Sequence, residues 1–315
     1  MLSSTVRRAA RLAAAALAAA AVLPAVSALP PAAASGRAAI VLTDDTGATV
    51  TLPRPARRVV SLISSDTQIM LALGLRRRLV GVDLDSLRYM AAPYDRLVQG
   101  LPSIGDTYPA PSLERILKAR PDLILSSGAV AGNAKLRSLG IPVLVLNPAN
   151  LAGIERDVRL VGEATGASAA AGRVVARIAA AAAAVARIAR RAGTHPSVYV
   201  EIGVHPYYSV GPGSYIDDLL RLLGARNAVD RVARVPYPQL SSEAVVALDP
   251  QVIVLDETGV TPGQVASRPG WQAVAAVVHH RVYDNVDPNA LSEPGPAVVT
   301  ALWQLAHDLY PGVSP

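Results

Sequence analysis

Short apolar runs, each bounded by turn residues and followed by a helix-compatible stretch, constrain this chain more than any other feature. Residues 59–63, 80–82, 123–125 and 143–146 supply such runs in the first half, and 198–202, 252–255 and 282–283 supply them in the second. Runs this short, without polar alternation, read as parallel strands buried on both faces. Helix signals lie between them. Ser64-Ser65-Asp66-Thr67 offers N-cap residues for a helix over 69–73 that Gly74 stops, and a helix over 216–223 is ended by Gly224. Strands alternating with helices predict an α/β fold with mainly parallel sheets.

The two halves share a grammar. Glu114 precedes Pro121-Asp122-Leu123-Ile124-Leu125 by the spacing at which Glu243 precedes Pro250-Gln251-Val252-Ile253-Val254. Each segment reads as a short helix, a proline turn and a buried strand, so two similar lobes are expected. Residues 151–166 and the Ala-rich, proline-free 167–191 lie between them as helix. The second piece would run about 37 Å at 1.5 Å per residue. A long rigid helical connector predicts limited opening and closing. The expected divisions are a signal peptide at 1–34, an N-terminal lobe at 38–150, a helical linker at 151–193 and a C-terminal lobe at 194–315.

Composition excludes several classes. The chain is 51% hydrophobic and 17% charged, unlike a disordered segment. It has no cysteine, so disulfides, thiolate metal sites and a lipoprotein attachment point are absent from the sequence. Arg7, Arg8 and Arg11 carry three of the six net positive charges and precede the apolar run 12–23. Small residues follow, with Val26-Ser27-Ala28 or Ala32-Ala33-Ala34 as cleavage sites. This is the pattern of a cleavable export signal, and it predicts a periplasmic or secreted protein. No later segment is expected to reach a transmembrane length. Basic residues are scattered without interleaved aromatics, which argues against nucleic acid.

No G-x-S-x-G elbow, H-E-x-x-H pair or P-loop occurs. Asp44-Asp45, ahead of Gly47, reads as a hairpin tip. His279-His280 would face opposite sides of a strand and make a poor metal pair, so neither a catalytic nor a metal site is assigned. An extracytoplasmic enzyme using Asp44 or His205 is the alternative from a different class. The loops after the strands are richer, and open α/β sheets bind ligands there. Tyr89, Tyr94, Tyr108, Tyr207, Tyr208 and Tyr237 fall in these loops, with His205 and Asp287 beside them. Tyrosines gathered at sheet ends suit a flat, partly apolar ligand.

These residues also carry a family resemblance. Ser61-Leu62 with Ala72-Leu73-Gly74, then Leu101-Pro102-Ser103-Ile104-Gly105, Pro111-Ser112-Leu113-Glu114 and Arg120-Pro121-Asp122-Leu123-Ile124, resemble the first lobe of bacterial class III ABC-importer binding proteins. That family carries vitamin B12, haem or ferric siderophores. The resemblance covers about residues 38–312. Arg234-Val235-Pro236-Tyr237-Pro238-Gln239-Leu240-Ser241-Ser242-Glu243 is most similar to its cobalamin-binding branch, as is the stretch from Val200-Glu201-Ile202-Gly203 to Ser214-Tyr215-Ile216.

The resemblance implies a non-catalytic, monomeric receptor. It would capture a corrinoid such as cobalamin, or an iron chelate, and deliver it to an ABC importer permease without an intrinsic cofactor. Tyr108 and Tyr237 stand where the cobalamin branch has corrin-contacting Trp, Tyr208 where it has Phe, and Asp287 where it has a ligand-contacting Asp. Its nearby ligand-contacting Arg has no counterpart in Asn289-Ala290-Leu291-Ser292. Haem would want an axial Tyr or His, which Tyr108 or His205 could supply. An anionic siderophore would want converging arginines, and these loops offer Arg88 and Arg234. Glu114 and Glu243 match the family's two permease-docking glutamates. Stabilising the helix N-terminus is the other role open to them.

Overall fold

A computed structural model describes residues 38–204, 206–256 and 259–314. The expected export signal and His205 lie outside the described residues. Ala38–Pro315 forms one compact unit.

The chain enters through an antiparallel hairpin, β1 (Ile40–Thr43) and β2 (Thr49–Leu52). Five parallel strands follow: β3 (Val59–Ser61), β4 (Leu79–Asp83), β5 (Ser103–Gly105), β6 (Leu123–Ser126) and β7 (Val143–Val145). Their order is β5-β4-β3-β6-β7. The helices α1 (Ser64–Ala72), α2 (Leu84–Arg88), α3 (Leu113–Ala119) and α4 (Asn133–Ser138) occupy the crossovers. Strand order reverses between β3 and β6, which opens a crevice at their carboxyl ends.

The helices α5 (Leu151–Thr165) and α6 (Ser168–Ala192) come next and fold back on one another across Gly166, which takes a left-handed conformation. At Gly162 a side chain would lie 2.5 Å from the Ala171 Cβ, so glycine permits the close approach of the two helices. The connector is therefore a helical hairpin rather than a single rod. Contrary to the sequence expectation, α6 is long and apolar enough by composition to cross a membrane. Its apolar face is instead committed to the protein interior, packed on α5 and α12 (Val298–Leu309).

The second sheet is mixed. The strands β8 (Ser197–Val204), β12 (Val252–Leu255) and β13 (Val282–Tyr283) run parallel, and β10 (Arg226–Asn227) joins the start of β8, also in parallel. The end of β8 turns into an antiparallel edge of β9 (Tyr207–Ser209) and β11 (Gln239–Leu240). Around this sheet lie α7 (Tyr215–Leu222), α8 (Ser242–Leu248), α9 (Pro262–Ala266), α10 (Ala275–Val278) and α11 (Pro288–Leu291). Tyr207 and Tyr208, expected in a loop, are strand residues.

The repeated segments are equivalent in three dimensions. Ser112 caps α3 by accepting the Arg115 amide, and Ser241 caps α8 by accepting the Ala244 amide. Both helices end on a left-handed residue before proline, Arg120 and Asp249. The next residue then ties back to the chain beside the first strand of its sheet. Asp122 accepts the Arg58 amide at 2.8 Å, and Gln251 Oε1 accepts the Ser197 amide at 3.0 Å. One apolar cluster runs from Leu42 and Val50 through α1, α5 and α6 to Leu219, Leu302 and Tyr310, so both halves share a core.

Candidate functional site

The carboxyl ends of the parallel strands position the site residues. In the first sheet β4 passes into α2 through Asp83, whose carboxylate accepts the Ser86 amide at 3.0 Å and its hydroxyl. This cap turns the chain so that Tyr89, at the end of α2, is 56% exposed. The loop after β5 presents Tyr108, 88% exposed. A phenol left that open contributes little to packing and is available to a ligand.

In the second sheet the antiparallel edge does the positioning. Ser209 and Gly211 donate to the Pro238 and Pro236 carbonyls at 3.1 and 2.8 Å, laying the two segments side by side. Tyr208 pairs with Gln239, so Tyr208 and Tyr237 stand on adjacent chain segments, and both are exposed. Asp287 is already engaged, accepting the Asn289 amide at 3.0 Å as the cap of α11. Tyr94 and Tyr207 leave the exposed set. Tyr94 is buried and accepts from Arg177 at 3.2 Å, and Tyr207 packs on Trp271 with centroids 5.6 Å apart.

Glu114 and Glu243 are exposed in the first turns of α3 and α8. The Glu243 carboxylate is held below its usual range by its own amide and by the Ser241 hydroxyl, so it is an anion at neutral pH. Asp44 lies at the hairpin tip, as expected, and is fully used there. It accepts from Arg137, from the Val145 amide at 3.2 Å and from the Thr46 hydroxyl at 2.6 Å, pinning the hairpin to β7.

Two clusters carried no motif. The first is acidic. Asp66, in the first turn of α1, is buried, and burial followed by repulsion from Asp157, Asp83, Glu293 and Asp45 raises its carboxyl well above the usual range. Burial pushes Asp157 and Glu293 each up to about 7. Ser64-Ser65-Asp66-Thr67 is thus the buried first turn of α1, not its cap. Ile63 holds the cap position and makes no side-chain bond there. The second cluster lies behind the tyrosine edge. Arg268 donates to both oxygens of fully buried Glu201 at 2.6 and 2.8 Å and stacks on Trp271 at 4.6 Å and Tyr207 at 5.1 Å. Trp271 donates to the Ser242 hydroxyl at 2.8 Å, beside Glu243. A lone Glu within the apolar run 198–202 is the sequence signal for this cluster, since a buried charge requires a partner.

Residues 59–287 match the model of the periplasmic binding protein family. The chain belongs to that family. An uncharacterised ABC transporter substrate-binding lipoprotein of Bacillus subtilis, YvrC, is 30% identical over 86% of this chain and 86% of its own length. A cobalamin-binding protein of Halobacterium salinarum is 30% identical over 84% of this chain and 72% of its own. Among solved structures, the periplasmic heme-binding protein RhuT of Roseiflexus superposes with a TM-score of 0.70 at 26% identity, covering 81% of this chain and 98% of that one. The protein is the extracytoplasmic solute-binding component of an ABC transporter, not an enzyme. The Bacillus relative is described as a lipoprotein, whereas the 315 residues here contain no cysteine to carry a lipid.

Proposed function

We propose that this binding protein captures a corrinoid, cobalamin in the first instance, between its lobes and delivers it to the permease. The observation that carries the reading is the set of uncharged aromatic side chains at the sheet ends, Tyr89 and Tyr108 in one half and Tyr208 and Tyr237 in the other. Corrin faces are apolar and corrin side-chain amides are neutral hydrogen-bonding groups, which phenols meet on both counts. The similarity to the Halobacterium cobalamin-binding protein supports the same reading. Haem is the second reading, favoured by the Roseiflexus neighbour and by the open Tyr108 phenol, which could serve as an axial ligand. Asp287 and His205 complete the proposed ligand-binding set, with Asp287 offering its second carboxylate oxygen. Glu114 and Glu243 are the proposed permease contacts.

Titration calorimetry on tyrosine variants tests the pocket. Tyr108→Ala and Tyr237→Ala are each expected to weaken cobalamin binding by about 1–3 kcal/mol, the range for an aromatic anchor. The unfolding midpoint should hardly move, because both rings are exposed in the free protein. Unchanged affinity in both variants would remove them from the site.

A further inference from the structure

Tyr237 stands between two prolines, Pro236 and Pro238, in a segment laid against residues 209–211. The Pro236 carbonyl accepts from the Gly211 amide at 2.8 Å, and the Pro238 carbonyl from the Ser209 amide at 3.1 Å. A proline ring fixes φ and carries no donor, so the segment is stiff and suited to a sheet edge. The residue opposite is what lets it lie so close. A Cβ on Gly211 would overlap the Val235 carbonyl oxygen and come within 3.3 Å of the Pro238 Cδ. We infer that Gly211 is a positioning residue for ligand binding, an inference that rests on the reading of Tyr237 as a ligand contact. Gly211 admits the Pro-Tyr-Pro segment to close contact and so holds Tyr237 in place before the ligand arrives.

The hydrogen bonds decide which side would give way to a side chain at 211. Residues 209–211 are tied to the protein interior. The Ser209 hydroxyl donates to the Val200 carbonyl at 2.7 Å, and buried Asn227 donates to the Val210 carbonyl at 3.0 Å. The Ser214 hydroxyl, at the cap of α7, donates to the Gly211 carbonyl at 2.8 Å. Beneath the same edge Tyr207 packs on Trp271, which fixes β9 from the other face. Val235, Pro236 and Tyr237, by contrast, are exposed. The atom in the way is a backbone oxygen, which cannot rotate aside as the end of a long side chain can. A side chain at 211 therefore shifts the Pro-Tyr-Pro segment off β9 and takes Tyr237 away from Tyr208. An aromatic ring already held where the ligand needs it costs little ordering on binding, so the loss of that placement is a loss of affinity.

Titration calorimetry with cyanocobalamin tests the inference. Gly211→Ala is expected to weaken binding roughly tenfold, as Tyr237→Ala does. Combined, the two changes should weaken it no further than either alone, because Tyr237 has already left its place. Gly211→Ala combined with Tyr108→Ala, in the other half, should show both losses multiplied. Wild-type affinity in Gly211→Ala would overturn the inference. So would a full further loss when Tyr237→Ala is added to it, the result a merely structural defect gives. Hydrogen exchange in the ligand-free wild-type protein needs no variant. The Ser209 and Gly211 amides should already exchange slowly, and cyanocobalamin should add little protection. Fast exchange that cyanocobalamin then suppresses would mean that the ligand builds this edge, and would also overturn the inference. Failure of the corrinoid reading looks different, since the wild-type protein itself then binds no cyanocobalamin, while exchange at Ser209 and Gly211 still decides whether the segment is held in advance.

Discussion

Replacing Arg268 with alanine is expected to lower the unfolding free energy by about 3–5 kcal/mol, the cost of removing one partner of a buried ion pair. Glu201 is fully buried in the middle of β8, and both its oxygens are bound by the Arg268 guanidinium. Without that partner the carboxylate must stay charged in an apolar strand or take up a proton. The guanidinium also fills the space against Trp271 and Tyr207, so its loss leaves a gap. Urea unfolding at neutral pH measures the effect. Arg268→Lys should recover part of the charge and little of the stacking, because an ammonium lacks the planar fork. A loss below about 1 kcal/mol in Arg268→Ala would mean that Glu201 finds another donor, and the stack would then be no keystone of this half. The same change should weaken cobalamin binding indirectly, through Tyr207 on β9 next to Tyr208.

Reversing both exposed glutamates is expected to separate capture from delivery. Glu114→Arg together with Glu243→Arg should leave cobalamin affinity unchanged, because both residues sit on α3 and α8 and not among the tyrosines. Uptake into vesicles reconstituted with the cognate importer should fall to background. Reversing one partner of an interfacial charge pair costs several kcal/mol, and here both contacts would become repulsive. The equivalence of Ser112–Glu114 and Ser241–Glu243 as helix openings argues that the pair presents one pattern twice. Normal uptake by the double variant would reduce both glutamates to helix-end charges, a role Glu243 already fills through its own amide and Ser241.

The parallel strands were legible because burial on both faces leaves uninterrupted apolar runs, as in β3, β6, β7 and β12, each buried throughout. The repeat centred on Glu114 and Glu243 was legible because cap, helix length and proline turn are all local. The antiparallel edge of β9 and β11 was not. Its strands are short and rich in tyrosine and proline, and their pairing depends on residues roughly thirty positions apart, which local composition does not record. The buried acids escaped for a similar reason. Asp66 read as one of the cap residues of α1, and its neighbours Asp157 and Glu293 stand far from it in sequence and come near only in the folded chain. Six tyrosines looked alike in sequence, while burial divides them into two packing residues and four open ones, Tyr89, Tyr108, Tyr208 and Tyr237.

The central claim is that the cleft takes a corrinoid. It is tested most directly by mixing the purified ligand-free protein with one equivalent of cyanocobalamin, haem or a ferric hydroxamate, desalting each mixture, and recording the visible spectrum of the protein fraction. The account predicts that the corrin absorption bands co-elute with the protein at a stoichiometry near one, and that the iron chelates are lost to the column. Retention of a haem or siderophore spectrum with complete loss of cobalamin would contradict it.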